Sequence, residues 1–188
     1  MFETKRYSDA VAESLALLRT GAADAWPVLA SSLIQLDACG RWSEFAALQS
    51  VGSTSARFSA ARCAVARGAT AEALRLFTEL AARVGVGIAS AMSAKMHVEI
   101  LRSARTVVPR SGALIVALQK GEASSKGVRP LDILVAADGE PVRIAADATR
   151  ARMKAASAPQ IRWTLWRSGH LVQVTTRPVR LGVQLIDW

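Results

Sequence analysis

The chain has 188 residues, room for one large or two small domains, and 51% of them are hydrophobic, which supplies a core and excludes a disordered chain. No apolar run approaches the ~18–20 residues that span a bilayer, and the polar start through Lys5-Arg6-Tyr7-Ser8-Asp9 lacks the apolar stretch of a secretory signal. The formal charge of +9 is uneven, with 11 basic against 9 acidic residues in 1–104 and 13 against 6 in 105–188.

Residues 8–104 read as helices throughout. Ser8-Asp9 is expected to cap a first helix in which Val11, Leu15 and Leu18 recur at helical spacing before Gly21. A second helix runs from about Ala22, with Trp26-Pro27 in its early turns, to Cys39-Gly40. A short third carries Trp42, Phe45 and Leu48 and ends near Gly52. Ser53-Thr54-Ser55 caps a fourth through Phe58 and Cys63 to Gly68. A fifth opens at Thr70 and holds Leu74, Phe77 and Leu80. A sixth contains Met92, Met96, Ile100 and Leu101. Cys39 and Cys63 sit in Ala-rich helical surroundings and are expected as two buried thiols rather than a disulfide.

The period changes near Val107. Val107-Val108-Pro109, residues 113–118 and residues 133–137 are short apolar runs bounded by Pro, Ser-Gly and Gly, as strands are. Asp138-Gly139 predicts a tight turn with positive φ. Residues 144–156 read as a helix with Asp147 near its start. Residues 161–166 alternate, turn at Arg167-Ser168-Gly169-His170, and continue as 171–176. Arg177-Pro178 breaks that strand, and residues 179–186 make a last one. The fold class expected is therefore α+β, with a helical domain over 1–104 and a small β-rich domain over 105–188.

Two resemblances attach to these residues. The pair of helices over 55–83, with Gly68 in the turn, Ala73 at the crossing and Phe77 and Leu80 following, resembles a tetratricopeptide-type repeat; a generic helical bundle is the other reading. Ser111-Gly112-Ala113-Leu114-Ile115-Val116, the corner from Gly121 to Gly127-Val128-Arg129-Pro130-Leu131-Asp132, and Asp138-Gly139-Glu140-Pro141-Val142 together resemble a PDZ domain of the bacterial type over residues 111–186. The corner is one residue shorter than the family's, and Leu131 stands where the family has its second Gly.

That resemblance implies a peptide-docking function. PDZ domains add a peptide as a strand to an exposed sheet edge beside a helix, and a Gly-containing loop holds the terminal carboxylate with backbone N–H groups. The stretch similar to that loop is Arg180-Leu181-Gly182-Val183, at the end of the chain as in circularly permuted members. The resemblance then makes Gln184, Leu185 and Ile186 the docking edge, and draws candidates for the facing helix from Ala146, Thr149, Ala151 and Met153. An ordinary closing strand with a Gly bulge is the alternative for Leu181-Gly182-Val183. The tail ending at Trp188 is open to filling its own groove or a neighbour's, which makes a homo-oligomer one of the readings.

Catalytic and metal patterns are missing from the sequence. His97 and His170 are the only histidines, His97 lacks His-Glu-x-x-His spacing, and neither a Gly-x-Ser-x-Gly elbow nor a phosphate-binding Gly-rich loop occurs. No cofactor or metal is expected, and the chain reads as a non-catalytic adaptor joining two protein partners. The alternatives are a regulatory subunit of a protease or secretion complex, and a basic nucleic-acid or acidic-polymer binder. The last would use the Arg-rich second half and a stacking Trp163 or Trp166. With Met1 as the natural start, a cytoplasmic location is expected.

Overall fold

The hydrophobic period changes once along the chain, and the architecture changes with it. A computed structural model describes residues 2–48, 53–83, 87–178 and 182–188. The chain is α+β and divides into two compact units, Met1–Arg102 and Ser103–Trp188.

The first unit is helical: α1 (Phe2–Arg19), α2 (Ala25–Gln35), a 3-10 helix (Cys39–Leu48), α3 (Thr54–Ala66), α4 (Thr70–Ala82) and α5 (Ile88–Ser103). Residues three and four apart share a helix face, so Leu29 and Leu33 of α2 and Ala73, Phe77 and Leu80 of α4 are buried together. Ser53 caps α3 by accepting a hydrogen bond from the Ala56 amide at 3.2 Å. Gly68, at φ +79°, turns the chain from α3 into α4. The expected cap at Ser8 is wrong: α1 begins at Phe2, and the Ser8 hydroxyl, already inside the helix, donates to the Thr4 carbonyl. His97 is fully buried. Its ring stacks on Phe77 at 4.3 Å and its Nδ1 donates to the Ser93 carbonyl at 2.8 Å.

The second unit contains β1 (Ala113–Leu118), α6 (Glu122–Ser125), β2 (Ile133–Ala137), β3 (Glu140–Pro141), α7 (Ala145–Lys154), β4 (Ile161–Arg167), β5 (His170–Thr176) and β6 (Val183–Asp187). The strands form one antiparallel sheet in the order β5-β4-β2-β1-β6, with β3 paired to β2. Asp138-Gly139 and Ser168-Gly169 supply consecutive positive φ angles (+48° and +86°, +48° and +99°), the backbone a two-residue hairpin turn demands. The expected strand at Val107-Val108-Pro109 does not form. Val107 is exposed, Val108 is buried, and the Pro109 carbonyl accepts a hydrogen bond from the Trp188 indole rather than from a strand. Of the expected last strand, residues 179–181 lie outside the described residues, and β6 begins at Val183.

One face of the sheet is apolar, and the other carries an apolar row among exposed polar residues such as Arg162, Gln173 and Gln184. Ile115, Leu134, Trp163, Leu165 and Val174 turn into one cluster that α6 and α7 cover with Ala123 and Ala148. A cavity of about 10 Å³ among them is no larger than a single water needs and has an apolar lining, so the cluster is packing rather than a chamber. On the other face the register aligns Trp166, Ile133, Leu114 and Ile186 in one row across four strands. A methyl group on Gly112 would lie 2.6 Å from Ile133 Cγ2 and 2.9 Å from the Leu134 carbonyl, so only glycine fits there.

Leu131 leads into β2. It adopts φ +70°, the left-handed conformation that glycine takes freely, while its amide donates to the Ile115 carbonyl at 2.9 Å. A side chain in that conformation costs roughly 1–2 kcal/mol. Leu131→Gly relieves this against the loss of a half-buried side chain, and the denaturation midpoint is expected to hold or rise. Leu131→Val, β-branched at positive φ, is expected to lower stability by more than about 1 kcal/mol in the same urea titration.

Candidate functional site

Strand β6 is a sheet edge. It pairs with β1 on one side, and among the described residues no strand pairs with the other. The phase of its backbone follows from two bonds: Gln119 N–H donates to the Gly182 carbonyl at 2.7 Å, and Trp188 N–H donates to the Gly112 carbonyl at 3.1 Å. Alternation in an antiparallel ladder then turns Gly182, Gln184, Ile186 and Trp188 towards β1. The backbone N–H and C=O of Val183 and Leu185 face the outer edge.

Helix α7 lies beside that edge and packs against β1, β2 and β6. Its inner side is built from alanines: Ala148 is buried, and Ala145, Ala151 and Ala155 are half-buried against the cluster. Small side chains let the helix approach the sheet closely. The helix is fixed at its start by carboxylates. Asp147 accepts from the amides of Arg143 (2.8 Å) and Ile144 (3.0 Å), and Asp187 at the end of β6 accepts from the Ala145 amide at 2.7 Å. Strand β6 and the N-terminus of α7 are thereby tied by one side chain.

The expected site residues divide among these elements. Gln184, Leu185 and Ile186 lie in β6; Gln184 is exposed, while Leu185 and Ile186 are half-buried. Val183 and Leu185 also pack on the interior cluster. Gly182 precedes the strand at φ +67°, and a methyl group added there would meet Gln119 only at ordinary contact distance, 3.5 Å. Arg180 and Leu181 lie outside the described residues. Ala146, Thr149 and Met153 are in α7 and exposed, Met153 with 64% of its surface free; Ala151 lies on the inner side.

Two residues that hold the edge escape a reading of the sequence. Trp188, the last residue, is fully buried, and its indole N–H donates to the Pro109 carbonyl at 2.7 Å. The tail therefore continues along β1 and anchors there. Asp187 looks like an ordinary polar terminus until α7 is placed beside it.

Asp132 and Asp138 serve the scaffold. Asp132 is buried and accepts two hydrogen bonds from Arg167, Nε to Oδ1 and Nη2 to Oδ2, both at 2.7 Å, plus the Arg129 amide at 2.8 Å. Arg167 also donates to the Gly127 carbonyl at 2.6 Å, and the hydrogen bonds to Asp132 hold its guanidinium above the ordinary range. Asp138 accepts from the Arg162 amide at 2.8 Å, and Glu140 is exposed. Trp163 and Trp166 are both buried, and the Trp163 indole donates to Thr176, so neither ring is free to stack on a base. Among the described residues no group of three or more His, Cys, Asp or Glu is placed to hold a metal, and no helix is long and apolar enough to cross a membrane.

No family model matches the chain, and no curated protein does either.

Glu122 of α6 holds Arg177, the residue that follows β5. Its Oε1 accepts from the Arg177 amide at 2.8 Å and its Oε2 from the Arg177 guanidinium at 3.2 Å, which holds the carboxyl below the usual carboxylate range, the backbone hydrogen bond first among the causes. A depressed pKa adds stability above the unfolded value and loses it as pH falls through the folded one. Glu122→Gln is therefore expected to lower the unfolding midpoint at pH 7. That deficit should shrink as pH falls below about 4, which a urea titration at several pH values measures.

Proposed function

We propose that the second unit is a PDZ-like peptide-docking module and that the chain is a non-catalytic adaptor. The observation that carries this reading is the open edge of β6 lying beside α7, with Gly182 in a left-handed conformation at its start. An extended peptide adds to such an edge by hydrogen-bonding the Val183 and Leu185 backbone. In this reading the exposed α7 residues Ala146, Thr149 and Met153 flank the bound peptide, and Arg180 and Leu181 receive the terminal carboxylate by resemblance to the family's loop, with Gly182, whose backbone is turned to β1, next to them in sequence. A second protein binds the helical unit, whose α3–α4 pair is tetratricopeptide-like.

The chemistry favours a chain end over an internal segment. A Gly-containing stretch that carries an arginine suits a carboxylate, and the edge residues select apolar side chains through Leu185 and Ile186.

A display screen of random peptides with free C-termini against the full chain tests this. Apolar C-terminal sequences are expected, with an affinity that changes less than ~3-fold between 50 and 200 mM salt. A polyanion ligand making 6–10 phosphate contacts would instead lose ~10³-fold or more. Gly182→Trp, folded by its circular dichroism and melting curve, is expected to weaken the selected peptides at least ~10-fold. Unchanged binding by that folded variant places the carboxylate elsewhere and refutes the loop assignment.

A further inference from the structure

Cys39 and Cys63 meet inside the helical unit. Cys39 opens the 3-10 helix and Cys63 lies in α3, 24 residues later, yet their sulfurs are 2.7 Å apart and both residues are buried. A disulfide bond measures ~2.05 Å. The sulfurs are thus inside ordinary non-bonded contact, and a small closing movement separates them from a bond.

We propose that Cys39 and Cys63 are a cross-linking site: the helical unit carries an intramolecular disulfide between them under oxidising conditions and two thiols under reducing ones. The oxidant is a small-molecule disulfide such as glutathione disulfide. Each protein thiol gives up one hydrogen, the oxidant's S–S bond breaks, the Cys39–Cys63 bond forms, and the oxidant leaves as two thiols. Nothing else is consumed.

The surroundings decide when the reaction runs. Cys39 donates a hydrogen bond to Cys63, and that bond together with burial holds the Cys63 thiol far above the ordinary thiol range. Exchange requires the thiolate, so the closed, reduced unit reacts slowly. The bond instead forms while the unit folds, when the thiols still reach solvent. Once formed and buried it resists external reductants, whose thiolates cannot reach its sulfurs. Such cross-links persist in oxidising compartments and are rare where glutathione keeps thiols reduced. The state of this pair in cells therefore records where the chain folded.

Refolding tests the proposal. The full chain is unfolded in urea with reductant and diluted into a buffer of reduced and oxidised glutathione. It is then analysed by intact mass and by maleimide labelling under denaturing conditions. The expected product is lighter than the reduced chain by two hydrogens, takes up no label, and yields a peptide pair joined through Cys39 and Cys63. Its melting midpoint is expected about 5 °C or more above that of the reduced chain. The Cys39→Ala/Cys63→Ala double variant melts identically in both buffers. A refolded chain that keeps two labelled thiols, carries glutathione adducts, or forms disulfide-linked dimers overturns the proposal. The wild-type peptide map decides the matter even if the double variant does not fold.

Discussion

A strand close to a chain terminus frays unless something ties it down, and the organisation of the second unit rests on how β6 is tied. Trp188 is buried completely, its backbone amide is held by Gly112 and its indole by Pro109. Asp187 adds a hydrogen bond to the first turn of α7. These anchors sit beyond the strand's end and use none of its outer hydrogen-bonding groups. Strand β6 is thus held along β1 and, among the described residues, has no strand partner on its other side, the combination that the proposed docking edge requires. Exposed edges invite uncontrolled pairing. Here the edge is short, flanked by α7 and followed by a buried residue.

The corner that leads into β2 is held with equal care. The buried Asp132 has two arginine nitrogens and one amide as partners, and Arg167 reaches back to the Gly127 carbonyl. Removing one member would leave a buried charge without compensation, which is far more costly than never having had the pair. Leu131 stands beside it in a conformation made for glycine, kept there by its own backbone hydrogen bond to Ile115. The clamp and the strained residue belong to the scaffold, and both lie away from the open edge.

Much of this was legible in the sequence because it is local. The switch from helical to alternating period near Val107, the Ser53 cap and the Asp138-Gly139 turn each depend on neighbours a few residues away. What was not legible depends on distant partners. Trp188 is defined by Pro109, 79 residues upstream, and the thiol pair by a helix crossing that no spacing rule encodes. Val107-Val108-Pro109 has strand composition, but the carbonyl of Pro109 is spent on the terminal indole. Ser8 looks like a cap because capping residues and helix-interior hydroxyls are the same residue types; where the helix starts decides between them. For β6, the order of residues suggested an edge, while its openness and the phase of its backbone emerged only from the β1–β6 pairing.

The central claim is that a peptide joins the outer edge of β6, and amide hydrogen exchange at single-residue resolution tests it most directly. With a selected C-terminal peptide at saturation, the Val183 and Leu185 amides should gain protection. Those of Gln184 and Ile186, already turned to β1, should change little. A bound peptide that leaves Val183 and Leu185 unprotected, or that protects a different strand, would contradict the account.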